Sequence, residues 1–203
     1  MSSGVLPGTA VRIAVLGATG MAGSRIVGEA RARGHEVTAV ARSQGGDVTD
    51  PALLDRVVGA ADVVVSALPA RVVLPLLTEL AGPARAAGTR LVFVGGAGSL
   101  RLPAGERVID RPDFREEWKP EASAHVELLD ELRALPDEVE WTFLSPSALF
   151  VPGERTTVFR LGGENLLTGA DGTSRISAED YAIALLDEIE SPLHRRQRFT
   201  VGY

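Results

Sequence analysis

The sequence predicts an α/β protein built on a doubly wound, mainly parallel sheet with helices on both faces. Three observations predict it. Apolar, strand-like runs alternate with helix-like periodicity from residue 11 to about residue 146. Runs such as the three valines at 63–65 and LVFV at 91–94 are apolar at every position, as strands covered on both faces require. A length of 203 residues suffices for one domain with a full core and leaves little for a second.

Each element has its own signal. MSSGVLPGTA (1–10) reads as a flexible tail, and 11–203 as a single domain. VRIAVLG (11–17) is the first strand; helix 22–33 puts Ala22, Ile26 and Ala30 on one face, and Gly34 stops it. HEVTAVAR (35–42) is the second strand. After the polar SQGGDVTD, Asp50 and Pro51 are the N-cap and first residue of the next helix. ADVVVSAL (61–68) is the third strand. A Leu- and Ala-rich helix with Pro75 near its start then runs to about Gly88, and RLVFVGG (90–96) follows as the fourth strand.

Residues 97–117 form a segment long enough to suggest an active-site lid. Helix EASAHVELLDELRAL (121–135) leads to strand EWTFLSP (140–146), after which the chain makes a small substrate-side extension. There TTVFRLGGENLLTGADG (156–172) has the alternation and turn residues of a hairpin. Ser177 with Asp180 starts helix 178–190 in the manner of a capping box, and QRFTVGY closes the chain as a strand.

Composition removes several classes of function. With no cysteine, disulfides, thiolate catalysis and zinc–thiolate sites are out. The three histidines (His35, His125 and His194) are too scattered for a metal centre, so no metal is expected. A net charge of −6 gives no general attraction to nucleic acid or to an anionic membrane. The start of the chain lacks the basic and apolar regions of a signal peptide, and no apolar run approaches the ~20 residues needed to cross a bilayer. The expected setting is the cytoplasm, the expected partner a small molecule, and the expected state a monomer or homodimer.

Gly17, Gly20 and Gly23, with Thr19 and Met21 between them, fill the turn from the first strand into the first helix. Glycines permit so tight a turn, and this alone would explain them. Their missing side chains also let backbone N–H groups approach a diphosphate at the positive end of the helix. The position after the first buried strand and the α/β alternation favour a dinucleotide, and the pattern is not that of an ATPase-type phosphate loop. The second strand ends Ala41-Arg42-Ser43, with no carboxylate before Asp47. An acid there would bind a free ribose 2′-hydroxyl, whereas a basic residue accepts a 2′-phosphate. Arg42, assisted by Ser43, therefore favours NADP(H) over NAD(H), the alternative being a solvated arginine at a strand end.

GATGMAG (17–23) resembles the atypical short-chain dehydrogenases/reductases, a Rossmann-type fold. The likeness extends through ARSQGGDVTD, VVVSALP, LVFVGGAGSL, DFREEWKPEA, EWTFLSPSALFVPGERT and the ending RQRFTVGY, thus over nearly the whole chain from residue 11. Within that group the sequence is similar to the NAD(P)H–flavin reductases related to biliverdin-IXβ reductase and to NmrA-like NADP-binding proteins. The resemblance implies that Asp47 and Val48 lie beside the adenine and that Ala67 and Leu68 lie along the cofactor. It further implies Gly95 and Gly96 near the nicotinamide ribose, and Pro146, Ser147 and Ala148 at the nicotinamide. Each of these residues also has an ordinary role in packing a loop or strand end.

Standard members of the superfamily pair a tyrosine with a lysine four residues later, which readies the phenol for proton exchange. Here Tyr181 is followed at that spacing by Leu185, Tyr203 is the last residue, and Lys119 is the only lysine. A ketone receiving hydride becomes an alkoxide and needs a positioned acid. A flavin or a similar planar acceptor, such as a quinone or tetrapyrrole, spreads the charge and can be reduced through proximity alone. FMN, FAD or riboflavin are thus candidate substrates of an NADPH-dependent reductase. Phe114 and Trp118 are candidates to stack on the acceptor, and Arg111 to steer a phosphate. Ser99 and His125 are the only catalytic candidates, and structural roles compete for all five. The absent pair suits equally a non-catalytic NADP(H) sensor of the NmrA type. A nucleotide-sugar epimerase or dehydratase fits less well, since that chemistry uses the missing tyrosine.

Overall fold

The computed structural model describes residues 10–203; apart from Ala10, the segment read as a tail lies outside the described residues. In chain order the elements begin with β1 Arg12–Leu16, α1 Met21–Ala32, β2 Glu36–Val40, α2 Pro51–Ala60 and β3 Val63–Ser66. They continue with α3 Ala70–Val73, α4 Leu77–Ala87, β4 Arg90–Val94, α5 Lys119–Ala134 and β5 Trp141–Ser145. Then come β6 Leu149–Val151, β7 Arg160–Gly162, β8 Arg175–Ser177, α6 Ala178–Glu190 and β9 Gln197–Gly202.

Seven strands form one sheet in the order β2-β1-β3-β4-β5-β9-β7, parallel except for β7 against β9. The order reverses beside β1, so the carboxyl ends of β1, β2 and β3 open the crevice where such sheets take ligands. Alternate residues of each strand feed opposite cores. Val15, Val65 and Val92 pack with Ile26 and Leu185 under α1 and α6, whereas Val64, Leu91 and Phe93 pack with Val58, Leu80 and Leu128 under α2, α4 and α5. This is the doubly wound, Rossmann-type fold the sequence predicts.

Three local expectations are corrected. The helix expected after the third strand is interrupted: α3 gives way to a 3-10 turn at 74–76 before α4, because Pro75 lacks the N–H that a continuous helix needs there. The expected 156–172 hairpin does not form. Instead β7 pairs antiparallel with β9, Leu161 opposite Val201, while the chain beyond it pairs with Arg101, which accepts from Leu166 and donates to the Glu164 carbonyl. An open edge on the large sheet offers more ladder bonds than a local partner would. The capping box is also half made. Ser177 Oγ accepts from the Asp180 N–H at 3.0 Å, but the Asp180 carboxylate turns to Thr156, the Thr157 N–H and the Tyr203 hydroxyl.

The long 97–117 segment is tied down over its first half. Val108 and Ile109 donate to the Leu100 and Gly98 carbonyls at 2.9 and 3.0 Å, and Leu100 is fully buried. Ala97, Gly98 and Val108 from this anchored half, and several residues between 111 and 118, face the ligand side.

Candidate functional site

Two clefts lie at the carboxyl ends of the strands. The first, about 690 Å³, lies between the turn after β1, the end of β2 and the start of α3. Gly17 sits at φ +82°, tied by its N–H to the Val40 carbonyl at 2.9 Å, and a Cβ there would lie 2.8 Å from the Ala67 carbonyl oxygen. Gly23 is needed for another reason: a Cβ would stand 2.1 Å from the Gly17 oxygen, so it seats α1 on the turn. At Gly20, the N-cap of α1, no side chain caps the helix, and its first turn holds no acid. The N–H groups of that turn therefore keep their capacity to bind an anion.

The opposite wall carries Arg42 and Ser43, both exposed, on a short 3-10 turn that Gly45 closes at φ +78°. Arg42 has no acidic hydrogen-bonding or ion-pair partner among the described residues. The nearby Asp47 carboxylate is engaged by the Thr49 N–H and hydroxyl at 3.0 and 2.8 Å, which hold it below the usual aspartate range. Val48 is buried behind it, and Ala67 and Leu68 form the floor.

The second cleft, about 640 Å³, is lined by Gly95 and Gly96 after β4, Pro146 and Ala148 after β5, and the 111–118 segment. A Cβ at Gly95 would meet the buried Phe143 ring at 2.3 Å, and one at Gly96 would meet the His125 ring at 3.0 Å, so these glycines let the end of β4 pack closely on both rings. Phe114 and Trp118 stand edge to face with centroids 6.3 Å apart. One face of Trp118 is taken by the Arg115 guanidinium at 4.6 Å, which leaves one face for stacking. Arg111 lines the cleft but forms a two-pronged pair with Asp113 at 2.7 and 2.6 Å, so its charge is already answered.

His125 also lines this cleft, its Nδ1 donating to the Glu121 carbonyl at 3.0 Å. Burial pushes its pKa down against the pull of the Glu121 carboxylate, so the ring is held neutral. Tyr181 is out of reach of any substrate. It is fully buried, its hydroxyl donates to the Leu144 carbonyl at 2.7 Å, and burial raises its pKa well above the ordinary value.

Four expected site residues line neither cleft. Met21 stands exposed on α1, and Gly23 packs beneath it. Ser99 is buried and accepts from Arg198 at 3.3 Å, while Ser147 turns its hydroxyl to the Val201 carbonyl at 3.0 Å. In exchange the fold brings in residues the sequence reading passed over. Glu121 accepts from the Ala70 N–H and from Arg71 at 2.9 Å, joining α5 to the start of α3, and its spacing to His125, one helical turn, was the available signal. Leu149 and Val151 on β6 form the outer wall, and their alternation in SALFV marked them as strand. Among the described residues no three His, Asp or Glu side chains gather to hold a metal, and no helix is long and apolar enough to cross a membrane.

Comparison with known proteins agrees with this geometry. Residues 44–192 match the NAD(P)H-binding family, and residues 13–73 match the NAD-dependent epimerase/dehydratase family. The chain is 42% identical to the Bacillus subtilis (strain 168) protein YwnB, over 94% of this chain and 98% of that one. It is similar to a crystal structure from Burkholderia pseudomallei, provisionally described as an exported protein, with 42% identity, 95% and 100% of the two chains covered and a TM-score of 0.85. A Streptococcus pneumoniae TIGR4 structure, provisionally described as an NADH-flavin reductase, matches with 38% identity, 95% and 99% coverage and a TM-score of 0.83. With a matching profile over most of its length and a turn of bare backbone amides at its ligand crevice, the chain belongs to the NAD(P)H-binding family.

Proposed function

We propose that the protein is an NADPH-dependent reductase that delivers hydride to a planar acceptor such as a flavin or quinone. The observation that carries this reading is an anion-ready cleft, bearing an unpaired arginine, at the carboxyl ends of the strands next to a cleft walled by aromatic and small apolar residues. The residues present fit a pyridine dinucleotide. The uncapped start of α1 offers N–H donors to a diphosphate, and Gly17 and Gly20 carry no side chain to keep it away. Arg42 supplies charge-assisted donors for a 2′-phosphate. That residue is why we favour NADPH, although the pneumococcal relative's description gives NADH.

When bound, reduced nicotinamide supplies the hydride. Gly95, Gly96, Pro146 and Ala148 line the part of the cleft that would hold its ring. Phe114 and the open face of Trp118 hold the acceptor and fix its approach. None of the polar groups of the cleft is a ready acid: Arg111 is paired with Asp113, Glu121 accepts from α3, and His125 is neutral with Nδ1 engaged. Such a cleft suits an acceptor that delocalises incoming charge and takes its proton from solvent. The epimerase/dehydratase match stops at residue 73 and so concerns the dinucleotide side alone.

The test is an absorbance screen of NADPH and NADH oxidation against FMN, FAD, riboflavin and short-chain quinones. Turnover with a planar acceptor and NADPH is expected. Saturable nucleotide binding without turnover on any of them would replace this reading with that of an NADP(H) sensor, which the same lack of an available acid also favours. A protein dependent on the pyridine nucleotide pool is suited to the cytoplasm.

A further inference from the structure

Strand β6 is a ridge shared by two cavities. Leu149 and Val151 line the second cleft and also a third cavity, about 500 Å³, that runs between the β6–β8 pair and residues 152–158, past Tyr203. Its walls include Pro152, Val158 and Ile176 besides those two. Of the seven large apolar side chains most exposed among the described residues, four (Trp118, Leu149, Val151 and Val158) line this cavity or the cleft beside it, Val158 at 74% exposure. Apolar surface gathered in this way marks a binding region.

The outer wall is fixed in place. The Gly153 N–H donates to Glu179 at 2.8 Å, the Thr157 N–H donates to Asp180 at 2.9 Å, and Arg155 reaches Glu29 on α1 at 3.0 Å. Asp180 is fully buried, and Thr157 is held at φ +63°, a conformation that non-glycine residues adopt only under restraint. The groove is therefore preformed, and a ligand need not order its wall.

We infer that this groove receives an aliphatic side chain of the acceptor, so that the substrate class is an alkyl-substituted quinone whose ring occupies the second cleft. The inference rests on the reductase reading for its catalytic arm. Continuity across the Leu149–Val151 ridge is what commits the groove to the acceptor. A flavin's hydroxylated chain would find the Thr156, Ser177 and Tyr203 hydroxyls already engaged around Asp180, leaving only Glu154 and Arg175 to pair with and five apolar side chains to lie against. An anionic arm gains little net attraction, because the groove carries one cation, Arg175, and one acid, Glu154. In the reaction the quinone gains one hydride from reduced nicotinamide and one proton from solvent, so quinone, NADPH and a proton give hydroquinone and NADP⁺.

The experiment compares two benzoquinones with the same ring, one unsubstituted at the tail position and one carrying a decyl chain, at saturating NADPH. The decyl compound is expected to show a KM lower by about tenfold, in line with the apolar surface an arm would cover. Val158→Asp, on an exposed side chain outside the second cleft, is expected to abolish that advantage while leaving the unsubstituted quinone unchanged. Equal KM values for the two quinones, or an equal effect of V158D on both, would overturn the inference. Binding is read separately from quenching of tryptophan fluorescence. Decyl-dependent quenching sensitive to V158D but without turnover would keep the groove assignment and remove the reductase reading; no such quenching would remove the groove assignment. Sedimentation showing that V158D converts a dimer to a monomer would assign the groove to a second copy of the chain and overturn the inference.

Discussion

At the amino ends of the strands, Arg90 lies buried with its guanidinium on Glu188 at 2.5 Å, and Glu188 also accepts from the His194 ring at 2.8 Å. Arg33 there holds Glu29, Asp187 and Glu190, and Arg12 pairs with Asp62. At the carboxyl ends of the same strands the first turn of α1 has no cap, and Arg42 has no acidic partner among the described residues. One sheet thus carries one end where these charges are answered within the protein and another where the first amides of α1 and the Arg42 guanidinium stay available. A helix end without its cap and a cation without its acid each forgo stabilisation, and a ligand of opposite charge restores it. By contrast α2 and α6 have their first N–H groups answered from within, Asp50 accepting from the Ala52 N–H and Ser177 from the Asp180 N–H.

If the two ends differ in this way, changes at the amino end should cost stability and changes at the carboxyl end should cost binding. The largest effect is expected from Glu188→Ala. Burial opposes ionisation of Glu188, but hydrogen bonds from the His194 backbone and ring and from Arg90 overcome it and hold the carboxyl below the usual range. Removing it strands a buried guanidinium, at a cost of about 3–5 kcal/mol in chemical denaturation. Replacing Arg90 and Glu188 together with Met and Leu is expected to recover most of that loss, and nucleotide affinity of the folded protein should not change.

Next comes Gly17→Ala. A side chain at φ +82° and 2.8 Å from the Ala67 oxygen forces the turn to shift, so nucleotide affinity in a fluorescence titration should fall by roughly a hundredfold. Arg42→Glu should weaken NADPH by about 10- to 100-fold, the worth of a charge-assisted contact, and leave NADH within about threefold. If NADH suffers as much as NADPH, the arginine serves the fold and not the 2′-phosphate.

The smallest effect concerns pH. The pKa of His125 is lowered on folding, so the unfolded chain binds its proton more readily. The stability linked to His125 is therefore present above the ordinary histidine value of about 6.5, and is lost as pH falls below it toward the lowered folded value. A His125→Gln variant should show a flatter stability profile between pH 7 and 5 by thermal denaturation, and a profile as steep as that of the parent would contradict this.

The fold was legible where local signals agree with tertiary ones. The valines of β3, the glycine turn and the Asp50–Pro51 cap each fix their element through residues close in sequence. It was illegible where a distant strand decided: β7 chose β9 over its neighbour, and the parallel pairing of β6 with β8 has no local trace. The candidate site follows the same division. Backbone features such as Gly17, Gly20, Gly95 and Gly96 could be placed from the chain, whereas side-chain direction could not. Thus Ser147 and Ser99 turned inward to Val201 and Arg198, and Arg111 found Asp113 two residues away.

Calorimetric titration with NADPH and with NADH tests the central claim, that the carboxyl end is left open for a phosphorylated dinucleotide. Saturable one-to-one binding of both nucleotides is expected, NADPH the tighter by about tenfold or more, with the difference erased by Arg42→Glu. No saturation with either nucleotide, or equal affinity for both in the parent protein, would contradict it.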